Sequence, residues 1–295
     1  MAVLGGAWAR QPTVELWSSD SGGLYAEMAA LLQRDTADLP LDWADAEDGG
    51  SESSPLPALV VTLGAKALRE AALRAHQKPA WGQVPVLAAL LPQSAQRSMP
   101  HPLPRGSSAI WLDQPVERWM ELLRQALPQR RRIGVLLGAE SLAVEPVLVR
   151  AAAARGLELV RGVVRSPADE LYPALRTVLQ RADVLLALPD PQLFGADALQ
   201  NILIASYRQR VPMVSYSAAH VRAGATLALH TPIEQVSLQV ASALRAFASG
   251  RGLPAPQAAQ GFAVAVNTQV ARSLGLDMRS ASELEAAVRR QEGRT

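Results

Sequence analysis

The chain has 295 residues, 49% of them hydrophobic, with 29 Lys+Arg against 27 Asp+Glu for a formal net charge of +2. That length suffices for two lobes with cores of their own. A near-balanced charge and only 4% aromatic residues exclude a basic, base-stacking surface for nucleic acid. There is no cysteine, and His76, His101, His220 and His230 lack metal-ligand spacing. A thiol nucleophile, a disulfide and a Cys/His zinc site are therefore excluded, and neither metal nor cofactor is expected. No apolar run reaches the roughly 18 residues of a membrane-crossing helix.

In chain order, Ala2–Ala9 is small and apolar, and Ala7-Trp8-Ala9 fits a signal-cleavage pattern. Residues 1–11 read as the remnant of a secretory signal or as a disordered start. Thr13–Trp17 alternates like a strand and ends at Ser18-Ser19-Asp20-Ser21-Gly22-Gly23, with a helix over Leu24–Arg34. That turn suits either a ligand-facing loop or a simple helix cap, and it is not a Walker loop. Asp42–Pro57 is acidic, then rich in Gly, Ser and Pro, and reads as an exposed loop, with or without a short strand before it. A strand over Ala58–Leu63 ends at Gly64, a helix covers Ala65–His76, and Val84–Leu91 is a buried strand. Pro100–Ser108 is a proline-rich loop, Ile110–Leu112 is extended, and Gln114-Pro115 opens a helix over Val116–Leu127.

The run from Arg132 to Ser217 is the most regular. Strands at Ile133–Leu137, Leu157–Val164, Asp183–Leu188 and Val211–Tyr216 alternate with helical patterns at Leu142–Arg155, Ala168–Arg181 and Ala196–Arg210. Short apolar runs bounded by Gly or Pro, alternating with helices, predict βαβ units and a parallel sheet. Such sheets bind ligands beyond the carboxyl ends of their strands. Here those ends carry Gly138–Ser141, Pro189–Pro191 and Ser215–Ser217.

A strand over Ala225–Leu229, a long helix over Pro232–Ser249, an extended Arg251–Gln260, a strand over Phe262–Val266 and a helix over Thr268–Leu274 complete the pattern. The charged helical tail from Ser280 reads as peripheral. Two sets of βα units with three crossings predict an α/β fold of two doubly wound parallel-sheet lobes joined by a three-segment hinge. Lobe 1 is residues 12–112 with 231–252, lobe 2 is 113–230 with 261–280, and 281–295 is the tail. A cleft between lobes can bury a small ligand.

Four stretches carry a family resemblance. They are Asp113-Gln114-Pro115 through Leu136, Ala182 through Asp190, Val211 through Ala225, and Val266-Asn267-Thr268 through Leu274-Gly275-Leu276. Across Thr13–Leu276 the chain resembles the periplasmic substrate-binding proteins of ABC transporters. Within them it is similar to the type I binding folds that include tryptophan/tyrosine-binding members. The resemblance implies a monomeric, exported, periplasmic protein without catalytic activity, which hands a small solute to ABC permease and ATPase subunits. A ligand-sensing or regulatory protein using the same cleft is the alternative.

Carried over by position, the resemblance implies ligand contacts at Ser18 and Ser19, Gly64, Ala65 and Lys66, Asp113 and Gln114, Glu140 and Ser141, Asp190, and Ser215, Tyr216 and Ser217. Asp190 stands where amino-acid binders have an acidic residue able to pair with an ammonium. Gly64-Ala65-Lys66-Ala67, Leu91-Pro92-Gln93 and Glu140-Ser141 depart from the amino-acid-binding pattern. The resemblance thus implies a small polar solute, and these departures leave an amino-acid-like one as only one of the alternatives. From the residues alone, Asp190 between two prolines is either a turn former or a ligand contact. Glu140 is either a cap or a contact, and Lys66 is either a solvated first-turn residue or a contact for an anionic ligand. His220 near Ser217 does not make a hydrolase, because no Gly-x-Ser-x-Gly elbow occurs; it reads as a surface residue.

Overall fold

The computed structural model describes residues 12–45 and 55–293. The chain divides into two compact units that join at Asp113/Gln114, His230/Thr231 and Gly261/Phe262. Unit 1 starts with β1 (Thr13–Ser18), α1 (Gly23–Asp35), β2 (Asp42–Asp45), β3 (Leu59–Leu63), α2 (Ala65–Gln77), β4 (Val86–Leu91), α3 (Gln93–Arg97) and β5 (Ser108–Trp111). Unit 2 follows with α4 (Val116–Ala126), β6 (Arg132–Leu137), α5 (Glu145–Ala153), β7 (Glu158–Val163), α6 (Pro167–Leu179) and β8 (Val184–Leu186). It continues through α7 (Pro191–Phe194), α8 (Ala196–Arg208), β9 (Met213–Ser215), α9 (Ala218–Ala223) and β10 (Leu227–His230). The chain returns to unit 1 for α10 (Ile233–Ala248) and β11 (Gln257–Ala258), then ends in unit 2 with β12 (Ala263–Val266), α11 (Thr268–Ser273) and α12 (Ala281–Glu292).

Both sheets are wound the same way. Unit 1 has the order β2-β1-β3-β4-β5-β11, and unit 2 has β7-β6-β8-β9-β10-β12. All pairings are parallel except β10 with β12, which is antiparallel. The exception follows from the connectivity: the chain leaves unit 2 after His230 and re-enters at Phe262, and His230 lies opposite Ala263 in the ladder. β3 and β4 are buried along their whole length, as strands covered by helices on both faces must be. On one face of unit 1, Val14, Leu59, Val61 and Leu87 pack with Met28 and Leu32 of α1 and Val236 and Val240 of α10. On the other, Trp17, Val60, Val86 and Ala88 pack with Ala67, Leu68 and Ala71 of α2.

Several expectations need correction. The strand allowed before the acidic loop lies inside that stretch: it is β2, whose Trp43 packs against the unit 1 core and donates its indole N–H to Thr36 Oγ1 (3.3 Å). Residues 46–54 of that stretch, and the apolar start at residues 2–9, lie outside the described residues. The tail is not peripheral. In α12, Leu284 and Val288 are fully buried in the unit 2 core, and Ser280 with Glu283 forms a reciprocal capping box. Two apolar residues one turn apart, with Ala287 between them, make a stripe wide enough to dock a helix whose remaining face is charged. Leu284→Ala should therefore lower stability in urea unfolding by about 2–4 kcal/mol. Leu238→Ala, at a side chain 57% exposed, should change it by less than about 0.5 kcal/mol.

Candidate functional site

Each sheet has a switch point where neighbouring strands are followed by connections to opposite faces, between β1 and β3 in unit 1 and between β6 and β8 in unit 2. Open α/β sheets bind ligands there. In unit 1 the chain turns after β1, and Ser19 crosses the switch point: its Oγ accepts the Ala67 N–H at the start of α2 (3.0 Å). Ser18 donates its hydroxyl to the Asp20 carbonyl (2.6 Å) and stays exposed. Gly64 carries φ +86°, and a Cβ there would stand 2.6 Å from Ser19 Oγ and 2.8 Å from the Tyr25 ring, so a side chain is excluded twice over. Ala65 is half-buried and Lys66 is exposed in the first turn of α2. Asp113 sits farther along the same edge, where Oδ2 accepts the Gln93 N–H (2.6 Å). Burial pushes its carboxyl above the usual range, against the pull of that N–H.

In unit 2 the corresponding serine holds a carboxylate. Ser141 Oγ accepts the Gly138 N–H (2.9 Å) and donates to Asp190 Oδ2 (2.8 Å). Asp190 has no exposed surface, and its other oxygen, Oδ1, is buried without a hydrogen-bond partner among the described residues. A Cβ at Gly138 would fall 2.7 Å from Asp190 Oδ2 and 3.2 Å from Leu193, so the carboxylate occupies the space that glycine leaves. Tyr216, after β9, senses this charge: burial pushes its phenol up to about 12, and the negative charges of Asp190 and Glu140 add to the shift. Ser215 is fully buried and bonds His220 Nδ1 (2.6 Å), and the Tyr216 ring meets the His220 ring edge-on at 4.9 Å. Ser217 accepts the Ala219 N–H as the cap of α9 (3.1 Å).

The predicted residues therefore fall into two groups, one per unit. Ser18, Ser19, Gly64, Ala65, Lys66 and Asp113 occupy the edge of the first sheet. Glu140, Ser141, Asp190, Ser215, Tyr216 and Ser217 occupy the edge of the second. Gln114 belongs to neither, since its side chain is buried and accepts a hydrogen bond from Arg118 Nη1 (2.6 Å).

Residues 110–287 match the family model described as ABC transporter substrate binding protein. The chain belongs to that family. Its members bind solutes for ABC transport systems and are non-catalytic. No curated protein matches the sequence. Among solved structures, this substrate-binding protein is similar to an ABC domain in complex with L-Trp from Streptococcus pneumonia, at 14% identity and TM-score 0.62, covering 93% of this chain and 98% of that one. It is similar to the ligand-free, open substrate-binding protein with adhesive properties from Clostridium difficile, at 13% identity and TM-score 0.67, covering 91% and 96%. A putative ribose operon repressor from Burkholderia thailandensis has the same fold, at 17% identity and TM-score 0.57, covering 88% and 100%. These likenesses establish a type I periplasmic-binding-protein fold, and the family match separates this chain from the regulators that share it.

Sequence reasoning overlooked three participants. Gly138 contributes its N–H to Ser141 and the space left by its missing side chain, neither of which a motif signals. Tyr25, whose hydroxyl would lie 2.9 Å from a Gly64 Cβ, follows the glycine pair as an ordinary first-turn residue. His220 was read as a surface residue but is half-buried and tied to Ser215, and burial lowers its pKa. The structure also predicts a titration. Tyr216 should ionise near 12 when followed by ultraviolet absorbance. In Asp190→Asn its midpoint should fall yet stay above 10, because burial, the larger cause, remains. The raised phenol pKa contributes stability that is intact below the unfolded value near 10 and fades as pH rises towards 12.

Proposed function

We propose that this protein is the exported solute-binding component of an ABC transport system, and that it captures a small amine-bearing solute at the Asp190 edge of its second unit. Ligand-driven closure about the three crossings would present the loaded form to a permease and its ATPase, with no covalent step. The observation that carries this reading is the Asp190 carboxylate: buried, held at one oxygen by Ser141 and without a hydrogen-bond partner at the other among the described residues. Burying a carboxylate with an oxygen unpaired is costly, and an ammonium N–H is the partner that removes the cost. Glu140 adds negative charge to the same edge, and Tyr216 stays a neutral donor. Leu142, 43% exposed beside Ser141, would receive an apolar solute body. Periplasmic location and a monomeric state accompany the reading.

Calorimetry with L-amino acids, simple amines, organic acids and pentoses tests it. Heat should come from amine-bearing compounds. Asp190→Asn should weaken their binding by roughly 30-fold or more, the loss of a buried charge partner worth about 2 kcal/mol or more. Binding confined to apolar or uncharged compounds, or undiminished in Asp190→Asn, would reject the assignment.

A further inference from the structure

We propose that α12 is a clasp that sets where this chain pivots, confining motion between the units to the links Asp113–Gln114, His230–Thr231 and Gly261–Phe262. This rests on the hinged-closure part of the proposed function and concerns the mechanics of that motion, not the solute. The argument comes from how each residue beside a link is tied to its own unit.

On the unit 1 side of the first link, Leu112 N–H bonds the Leu91 carbonyl (3.0 Å) and Asp113 accepts from Gln93. Before the third link, Ala259 N–H bonds the Trp111 carbonyl (2.7 Å), and Gln239 of α10 grips both the Ala258 carbonyl (3.2 Å) and the Gln260 N–H (3.0 Å). At the second link, His230 is held in the ladder opposite Ala263. Beyond it, Pro232 starts α10 by accepting from Gln235 and Val236.

On the unit 2 side, the ties of the first and third links converge on α12. Arg118, 9% exposed, holds Gln114 with one nitrogen and pairs with Glu292 of α12 through another (2.5 Å). The same guanidinium lies 4.4 Å from the centroid of the Phe262 ring, the first residue after the third link. Arg289 of α12 also lies against that ring, 4.3 Å from its centroid, and donates to the Phe262 carbonyl (2.9 Å). Glu285, on the same helix, accepts the Val264 N–H (2.8 Å). One helix thus immobilises two crossing strands that are far apart in sequence, and a buried guanidinium shared between them makes the arrangement cooperative. Without these ties, the residues after each link would gain rotatable bonds, and the pivot would spread along the chain.

The absence of native cysteine allows a direct test. Spin labels at Glu70→Cys on α2 and Arg176→Cys on α6, both exposed helical positions, report the inter-unit distance distribution with no solute added. Arg118→Met and Arg289→Met should each widen that distribution, whereas Arg290→Met, an exposed neighbour that makes none of these contacts, should leave its width unchanged. Distributions as narrow in both clasp variants as in the parent would overturn the proposal, as would equal widening in Arg290→Met. Should Arg118→Met fail to fold, Arg289→Met decides alone, since Arg289 is exposed and its loss leaves Leu284 and Val288 in the core. Because no solute is added, failure of the amine-binding reading leaves this result interpretable.

Discussion

Asp190 Oδ2 and the Ser141 hydroxyl lie 2.8 Å apart in a place with no solvent access to the carboxylate. Removing a carboxylate from water costs several kcal/mol unless its oxygens are satisfied. The local structure is arranged around that cost. Gly138 vacates the space beside Oδ2 and supplies the N–H that fixes the Ser141 hydroxyl, so its proton points at Asp190. Proline on either side holds Asp190 at the end of β8, and its carbonyl starts α7 through Leu193 and Phe194. One oxygen is thereby committed, and the other is buried without a hydrogen-bond partner among the described residues.

The two units share a winding order but use their switch points differently. In unit 1 the serine after the first strand closes on a backbone N–H, stabilising a helix start. In unit 2 the serine at the same topological position closes on a carboxylate. A single scaffold thus gives a donor-rich edge in one unit and an anionic edge in the other, with Glu140 and Asp190 both raising the Tyr216 phenol after burial has done so. The difference comes from side chains placed on a common fold rather than from the fold itself.

Much of the architecture was legible because its signals are local. Buried parallel strands such as Leu59–Leu63 are continuous apolar runs, and Gly64, Gly156, Pro128 and Pro189 punctuate them at the element ends. What escaped depended on long-range packing. β2 is a four-residue edge strand inside an acidic segment and is recruited by Trp43. α12 shows only Leu284, Ala287 and Val288 against a charged background, and its importance lies in partners more than 150 residues away, such as Arg118 with Glu292. At the site, Asp190 and Ser141 were legible by position after a strand. The bond joining them and the glycine that makes room were not, because a hydrogen bond across 49 residues leaves no periodic trace.

The most direct test is a crystal structure of the protein with an amine-bearing solute that it binds. The account predicts a solute nitrogen about 3 Å from Asp190 Oδ1, with the Ser141–Asp190 bond retained. A solute seated elsewhere, or one that leaves Oδ1 without a contact, would contradict it.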